Sequence, residues 1–356
     1  MSLVELGLRD FRCFEAADLR LADTNLIIGP NGAGKTSLIE SIYFLSRARS
    51  FRTGRLDSLV REGGARLQVF GAVAAGQRDI RMGVERDRDG LRARFDGAPA
   101  ESIATLAQAL PVLVIEPHSH LLVEGGPASR RRFIDWGTFH VEQQFLGHWR
   151  RFRRALSQRN ALLKQGAPAR LLAAWNDEYV DAATAVDQAR RVWLRAFGAE
   201  LPGTAAKLLP DVAVGTRYRP GWAAAVPLPE ALERAIDTDR ERGMTTVGPH
   251  RADLVLTWDG LPAQERVSRG QQKLLAITML LAQATVYANE HGERCTLLVD
   301  DPAAELDSDR LERLMQMLRD LDVQLVITGT QAEPLRTCVG SPMMFHVEQG
   351  ALREVV

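Results

Sequence analysis

The chain opens on a strict alternation. Val4, Leu6 and Leu8 are separated by Glu5, Gly7 and Arg9, the period-two pattern of a half-buried strand. Further runs at Leu67–Val73, Ile80–Val84 and Leu91–Phe95 predict a meander, with Asp89-Gly90 as the hairpin turn before its last strand. Leu26-Ile27-Ile28 reads as an apolar strand, and Pro111–Ile115 as a fully apolar one near the core. Leu38, Ile42 and Leu45 then recur at helical spacing. Past residue 140 the period changes for a longer stretch. Phe145, Trp149, Phe152, Leu156 and Leu163 share one helical face, and Gly166-Ala167-Pro168-Ala169 breaks it. Leu172, Trp175, Tyr179, Ala182, Val186, Ala189 and Trp193 follow at alternating spacings of three and four, a heptad pattern. Two such helices joined by a short loop predict an antiparallel hairpin, an arm. The turn-rich stretch from Pro202 to Pro229 is expected to return the chain to the core, with the first domain resuming near Thr245. The division expected is a head over 1–118 and 243–356 and an inserted helical arm over 119–242.

Composition narrows the class. At 356 residues, 46% hydrophobic and 25% charged, the chain is an ordinary globular protein of two or three domains. No apolar run approaches the roughly 18 residues of a membrane span. The start, Met-Ser-Leu-Val-Glu-Leu, lacks the basic-then-apolar pattern of a signal peptide. Cys13, Cys295 and Cys338 are odd in number and widely spaced, which suits a reducing cytoplasm and forms no zinc pattern. They read as buried structural thiols. Net charge is zero, yet residues 130 to 170 carry ten Lys or Arg against Asp135 and Glu142. This local excess suggests an anionic polymer as partner. Arg130, Arg131, Arg132, Arg150, Arg151, Arg153 and Arg154 are candidates for DNA phosphate contact; the four on the helix read equally well as a solvated face. No base-reading motif stands out, so binding would be sequence-independent.

The chemistry is concentrated elsewhere. Gly29-Pro30-Asn31-Gly32-Ala33-Gly34-Lys35-Thr36, with Ser37 behind it, fits G-x-x-x-x-G-K-[ST] between an apolar strand and a helix. Glycines let successive N–H groups point at anionic oxygens, and the helix start adds partial positive charge. Lys35 is expected on the β- and γ-phosphates of ATP and the Thr36 hydroxyl on Mg²⁺. Thr296-Leu297-Leu298-Val299-Asp300-Asp301 is an apolar strand ending in acids. Asp300 is the expected second magnesium contact, and Asp301 the group that positions water. Ser268-Arg269-Gly270-Gln271 precedes another apolar helix. It resembles the Ser-x-Gly-Gln signature of ABC-type ATPases, in which Ser268, Gly270 and Gln271 would complete a partner subunit's ATP site. Ala304-Glu305-Leu306-Asp307 matches the segment that crosses the dimer interface in that group. Thr328-Gly329-Thr330 stands where many such proteins carry a switch histidine, and Asp301 where transporters carry Glu. Slow hydrolysis is the expectation.

Taken with Asp10-Phe11-Arg12, Ser50-Phe51-Arg52-Thr53, Gly125-Gly126-Pro127, Arg130–Asp135 and Gly248-Pro249-His250-Arg251 with Asp253, these motifs resemble the RecF family of SMC-like ABC ATPases over nearly the whole chain. The resemblance implies an α/β P-loop ABC-type head, and ATP-dependent DNA binding with homodimerisation. It further implies weak DNA-stimulated ATPase activity, and a role in replication, repair and the SOS response beside RecR and RecO in loading RecA. Arg12 reads either as a group near the nucleotide or as a surface ion pair. The chemistry of His250 and Arg251 stays open. The rival readings are a transporter-type ABC subunit, against which the arm and the basic cluster speak, and an ATP-gated scaffold without turnover.

Overall fold

The computed structural model describes residues 1–76, 78–333, 335–336 and 341–355; Cys338 lies outside them. The chain divides into two compact units, Met1–His118 with Tyr287–Val356, and Ser119–Val286.

The first unit holds two sheets. The antiparallel one has the order β2-β1-β4-β5-β6-β7, built from β1 (Ser2–Phe11), β2 (Phe14–Arg20), β4 (Leu67–Ala75), β5 (Arg78–Asp87), β6 (Gly90–Phe95) and β7 (Ala98–Pro99). The expected turn joins β5 to β6. Gly90 takes a φ of 142°, and the Asp87 carboxylate accepts from the N–H groups of Asp89 and Gly90 at 2.9 and 3.0 Å. The second sheet has the order β15-β14-β3-β13-β12-β8, built from β3 (Thr24–Ile28), β8 (Val112–Ile115), β12 (Thr296–Val299), β13 (Gln324–Gly329), β14 (Met343–Glu348) and β15 (Ala351–Val355). Its five strands from β8 to β14 are parallel, and β15 runs back along the edge. Their continuous apolar sequences follow from burial on both faces.

Helix α1 (Lys35–Arg47) packs in one core with Leu3, Leu6, Leu8 and Val69 of the first sheet and Ile27, Val326 and Leu298 of the second. Ten of its thirteen residues are buried. It is therefore an internal helix, apolar on more than one stripe. Short α2 (Ile103–Ala109) leads into β8.

In the second unit, α3 (Leu121–Glu124) and α4 (Pro127–Val141) precede the long pair α5 (Phe145–Lys164) and α6 (Ala169–Leu208). The pair is antiparallel: Arg151 meets Glu178, and Arg159 meets Asn176. Phe145, Phe152, Leu156, Tyr179, Ala182 and Val186 close its seam, as the heptads predict.

Beyond the seam the sequence expectation fails twice. Pro202 does not open a loop but sits inside α6, which runs on to Leu208. A proline inside a helix costs about 3 kcal/mol. Here Phe197, Leu201, Ala205 and Leu208 are all buried and hold the helix across it. The stretch expected to be turns also contains a strand, β9 (Val214–Arg219), and α7 (Leu228–Arg234) starts at its end, followed by α8 (Ile236–Arg242). This strand pairs with β10 (Asp253–Trp258), which pairs with β11 (Leu261–Pro262). Residues 243–286, expected in the head, therefore fold with the arm residues in the second unit. The unit closes within α9 (Arg269–His291).

A buried polar network explains the Gly248-Pro249-His250-Arg251 motif. Arg159 of α5 is 0% exposed. It donates to the Asp239 carboxylate and the Thr245 hydroxyl at 2.7 Å each. Asp239 also accepts from the N–H of Thr246 at 2.8 Å, and His250 Nε2 meets the Thr245 carbonyl at 2.9 Å. Burial pushes the His250 imidazole down to about 4, so it is neutral at pH 7. Gly248 is required as glycine: its φ is 129°, and a Cβ there would lie 2.0 Å from the Tyr179 hydroxyl. The motif is a braced turn; Arg251 is its exposed member.

Asp239→Ala leaves the Arg159 guanidinium buried without a counter-charge. A loss of about 3–5 kcal/mol is expected. All six tryptophans, from Trp136 to Trp258, lie in this unit, so tryptophan fluorescence in a urea titration reports its unfolding. An unshifted midpoint would refute the account.

Candidate nucleotide-binding site

The site forms at the carboxyl ends of parallel strands in the first unit. β3 ends in Gly29, whose N–H donates to the Gly329 carbonyl at 3.3 Å. A Cβ on Gly29 would meet the Val347 carbonyl at 2.1 Å, so only glycine fits under β14. Gly32 and Gly34 take φ values of 80° and 117°, and Gly34 caps α1. Ala33 is buried, and its carbonyl accepts from Gly350 N–H at 3.1 Å. Lys35 is buried, and its Nζ donates to the carbonyls of Gly29 and Pro30 at 2.8 and 3.0 Å. A buried ammonium satisfied only by neutral carbonyls marks a place for an anion.

Asp300 ends β12 and is nearly buried. The Thr36 hydroxyl lies 3.0 Å from both its carboxylate oxygens. The Thr328 hydroxyl, at the end of β13, donates to it at 2.8 Å. Its own N–H donates to the Ile115 carbonyl at 2.8 Å. Asp301 follows in the left-handed region, at φ 44°, and its N–H donates to the Thr328 hydroxyl at 2.9 Å. Burial pushes its carboxyl up; Lys35 opposes this and Asp300 adds to it. Its Oδ1 is buried and has no hydrogen-bond partner among the described residues. A buried unpaired acceptor on a strained backbone is a feature of reactive centres.

These groups border a cavity of about 1010 Å³, together with Asn31, Gly32, Gly34 and Ser37. Arg12, Arg52 and Arg61 also line it. The residues fit MgATP. Arg12, Arg52 and Arg61 line the cavity, the hydrogen bonds of Lys35 go to carbonyls, and Thr36 and Asp300 offer the hard oxygen donors that magnesium takes. Among the described residues there is no group of three or more His, Cys, Asp or Glu that could cage a metal alone. A magnesium ion that shares phosphate and water oxygens needs no such cage.

The sequence pointed to Thr328 only as the place of a switch histidine, and it missed Glu40 and Glu116. Thr328 joins the two acids, Glu40 pairs with Arg12, and Glu116 follows β8 beside Asp300. Burial pushes the Glu116 carboxyl up; His118 opposes this and Asp300 adds to it. An acid just after an apolar strand is the signal that would have found Glu116. Cys13, expected to be buried, is exposed at the rim of the cavity, because it occupies the tip of the β1–β2 hairpin. Cys295 is fully buried, as expected.

Ser268, Gly270 and Gln271 lie in the second unit. Ser268 N–H donates to the Gln271 side chain at 2.8 Å, and Gln271 N–H donates to the Ser268 hydroxyl at 3.4 Å. This reciprocal capping box opens α9, and Ser268 and Gly270 are exposed there.

The basic cluster is thinner than its sequence suggests. Arg130 is buried, bonds Asp253 at 2.7 Å and donates to the Gly125 carbonyl at 2.6 Å. It is therefore a structural residue, and the expected DNA contact is corrected. Arg131 donates to the Ala252 carbonyl at 2.8 Å. Arg151 pairs with Glu178 at 2.8 Å. Arg132, Arg150, Arg153 and Arg154 are exposed, with Arg153 over the Trp149 ring.

Residues 2–353 match the RecF/RecN/SMC N terminal domain model. The DNA replication and repair protein RecF of Xanthomonas euvesicatoria pv. vesicatoria is 40% identical over 359 residues, covering 98% of each chain. The chain belongs to the RecF family. Its counterpart from Yersinia pseudotuberculosis is 38% identical over 99% of this chain and 98% of that one. In fold, the chain is similar to a structure of the recombination mediator protein RecF with ATP in the RecFOR pathway. That match has a TM-score of 0.89 at 22% identity, over 100% of this chain and 98% of the other. It is similar, with a TM-score of 0.60 at 14% identity, to an Smc head bound to the C-winged helix domain of ScpA, over 100% of this chain and 98% of the other. The ABC-type ATPase head expected from the motifs is thus the observed fold, and the transporter reading is not retained. Among the described residues no helix is long and apolar enough to cross a membrane.

The two placed thiols give a direct test of the cavity. At pH 8 iodoacetamide is expected to label Cys13. It should spare Cys295, whose thiol burial pushes up to about 12 and which therefore stays protonated. MgATP should slow Cys13 labelling severalfold, read by peptide mass mapping. Labelling indifferent to MgATP would place the nucleotide elsewhere.

Proposed function

We propose that this chain is an ATP-dependent DNA-binding recombination mediator. Two heads close on MgATP, grip duplex DNA or a duplex–single-strand junction, and reopen on slow hydrolysis. The observation that carries the reading is the Thr36–Asp300 contact beside buried Lys35. Lys35 binds the phosphate chain, and Thr36 and Asp300 hold the metal. Bound Mg²⁺ neutralises phosphate charge and orients the chain for attack. Asp301, with a raised carboxyl pKa and an unpaired Oδ1, orients water and takes its proton. Ser268, Gly270 and Gln271 present an exposed helix start to the partner's nucleotide. The RecFOR pathway named for the structural relative makes RecR and RecO the proposed protein partners, with RecA loading at gaps and a part in the SOS response as the outcome. The site of action proposed is the cytoplasm.

Composite sites are tested by mixing. Lys35→Ala and Ser268→Arg chains should each fail to hydrolyse ATP alone. Mixed, they should recover one working site per heterodimer. A mixture as inactive as its parents, with heterodimers demonstrated, would refute the trans arrangement.

DNA contact is assigned to Arg132, Arg150, Arg153 and Arg154, with Arg131 and Arg151 as weaker contributors because each already has a partner. Affinity for duplex should fall with salt by about 0.9 per phosphate neutralised on a log–log plot. Changing Arg150, Arg153 and Arg154 to Gln should flatten that slope by up to about three, equally for any sequence. An unchanged slope would show an ordinary solvated helix face.

A further inference from the structure

Glu40 lies on α1, one turn beyond Thr36, and is 0% exposed. Three groups converge on it. Arg12 binds it bidentately, Nε to Oε2 and Nη2 to Oε1, at 2.9 Å each. Arg52 approaches it at 3.5 Å. The Ser50 hydroxyl donates to Oε1. Ser50 also accepts from the N–H groups of Arg52 and Thr53 at 2.9 and 3.0 Å, so the loop after α1 folds around the same carboxylate. Arg12 sits at the tip of the β1–β2 hairpin in the left-handed region, at φ 57°. Its N–H donates to the Leu59 carbonyl at 2.7 Å, and its Nη1 to the Ser58 carbonyl at 3.0 Å.

Arg12 and Arg52 line the same cavity as Lys35 and Thr36. One carboxylate against two guanidiniums leaves a positive surplus on that wall. Both arginines come from segments outside the phosphate loop. An arginine on a hairpin tip would otherwise keep most of its rotamer freedom and lose it on binding. Anchored bidentately, it has lost that freedom already.

We propose that Glu40 is a positioning residue for nucleotide binding: it fixes Arg12 and Arg52 as a preformed cationic wall for the phosphate chain. The inference rests on the nucleotide reading above. It differs from a plain buried ion pair in one consequence. Glu40 must act through the arginines, so its effect on binding disappears once they are gone.

The test is a binding cycle on the full chain, with MgATP dissociation constants measured by calorimetry. Glu40→Gln keeps the size and the Ser50 bond but removes the charge, and is expected to weaken binding tenfold or more. Arg12→Gln/Arg52→Gln should weaken it at least as much. The triple variant should match that double variant within about twofold. Full additivity, or a Glu40→Gln variant that binds as wild type, would overturn the inference. Should Glu40→Gln not fold, Glu40→Asp keeps the charge but draws it back by one methylene. It is expected to weaken binding at least threefold, and an unchanged constant would again overturn the proposal. Cys13, next to Arg12, supplies a readout without nucleotide: its alkylation should quicken in Glu40→Gln as the hairpin tip loosens. Unchanged alkylation would count against the anchoring. Wild-type protein that takes up no MgATP would overturn the nucleotide reading itself, a result distinct from these.

Discussion

One carboxylate, that of Asp300, ties the site together. It ends β12, accepts from Thr36 at the start of α1 and from Thr328 at the end of β13, and its backbone is pinned to the end of β8. Four chain segments, spread along the sequence from Thr36 to Thr328, meet on it. A nearly buried carboxylate is costly unless its oxygens are satisfied. The two threonine hydroxyls satisfy it without neutralising it. Its oxygens therefore stay available, in the cavity that Lys35 also lines, for a hard cation held against a polyphosphate. The strand order β8-β12-β13-β3 makes this possible, because parallel strands bring all their carboxyl ends to the same side.

Much of this was legible in the sequence because the determinants are local. The phosphate loop needs glycine at Gly32 and Gly34 for left-handed backbone, and those glycines sit within six residues of Lys35. Asp300 and Asp301 follow directly on an apolar strand. The α5–α6 seam was legible because heptad spacing is the packing itself. What was not legible depends on distant partners. Pro202 breaks the local rule, yet buried Leu201, Ala205 and Leu208 override it. β9, with Gly215, Arg217 and Arg219, looks like a loop until β10 pairs with it. That pairing also moves the unit boundary, because a strand belongs with its hydrogen-bonded neighbour and not with its neighbour in sequence.

The basic cluster shows the same limit in electrostatic form. Counting charges from Arg130 to Arg170 treats every cation as available. Arg130 and Arg159 are instead consumed by Asp253 and Asp239, more than seventy residues further on. Both acids belong to the part of the chain whose negative balance made the cluster look isolated. A local charge excess is thus partly an internal ion-pair ledger written across two segments. Only cations that stay exposed can release counterions from DNA.

The backbone and burial of Asp301 bear on the proposed speed of the site. Asp301 is held in the left-handed region by Thr328 on one side and by the Ala304 N–H on its carbonyl at 3.1 Å on the other. Its carboxyl is already pushed toward the neutral form by burial. A carboxylate with a raised pKa is a better base per ionised molecule, but fewer molecules are ionised as pH falls. Thr328 cannot share a proton with a leaving phosphate as an imidazole would. One acid in the left-handed region, with hydroxyls in place of a histidine, has no imidazole to relay a proton, and this is the chemical basis of the slow turnover proposed above. In the proposed clamp, occupancy would then outlast chemistry, so that the closed state is the populated one.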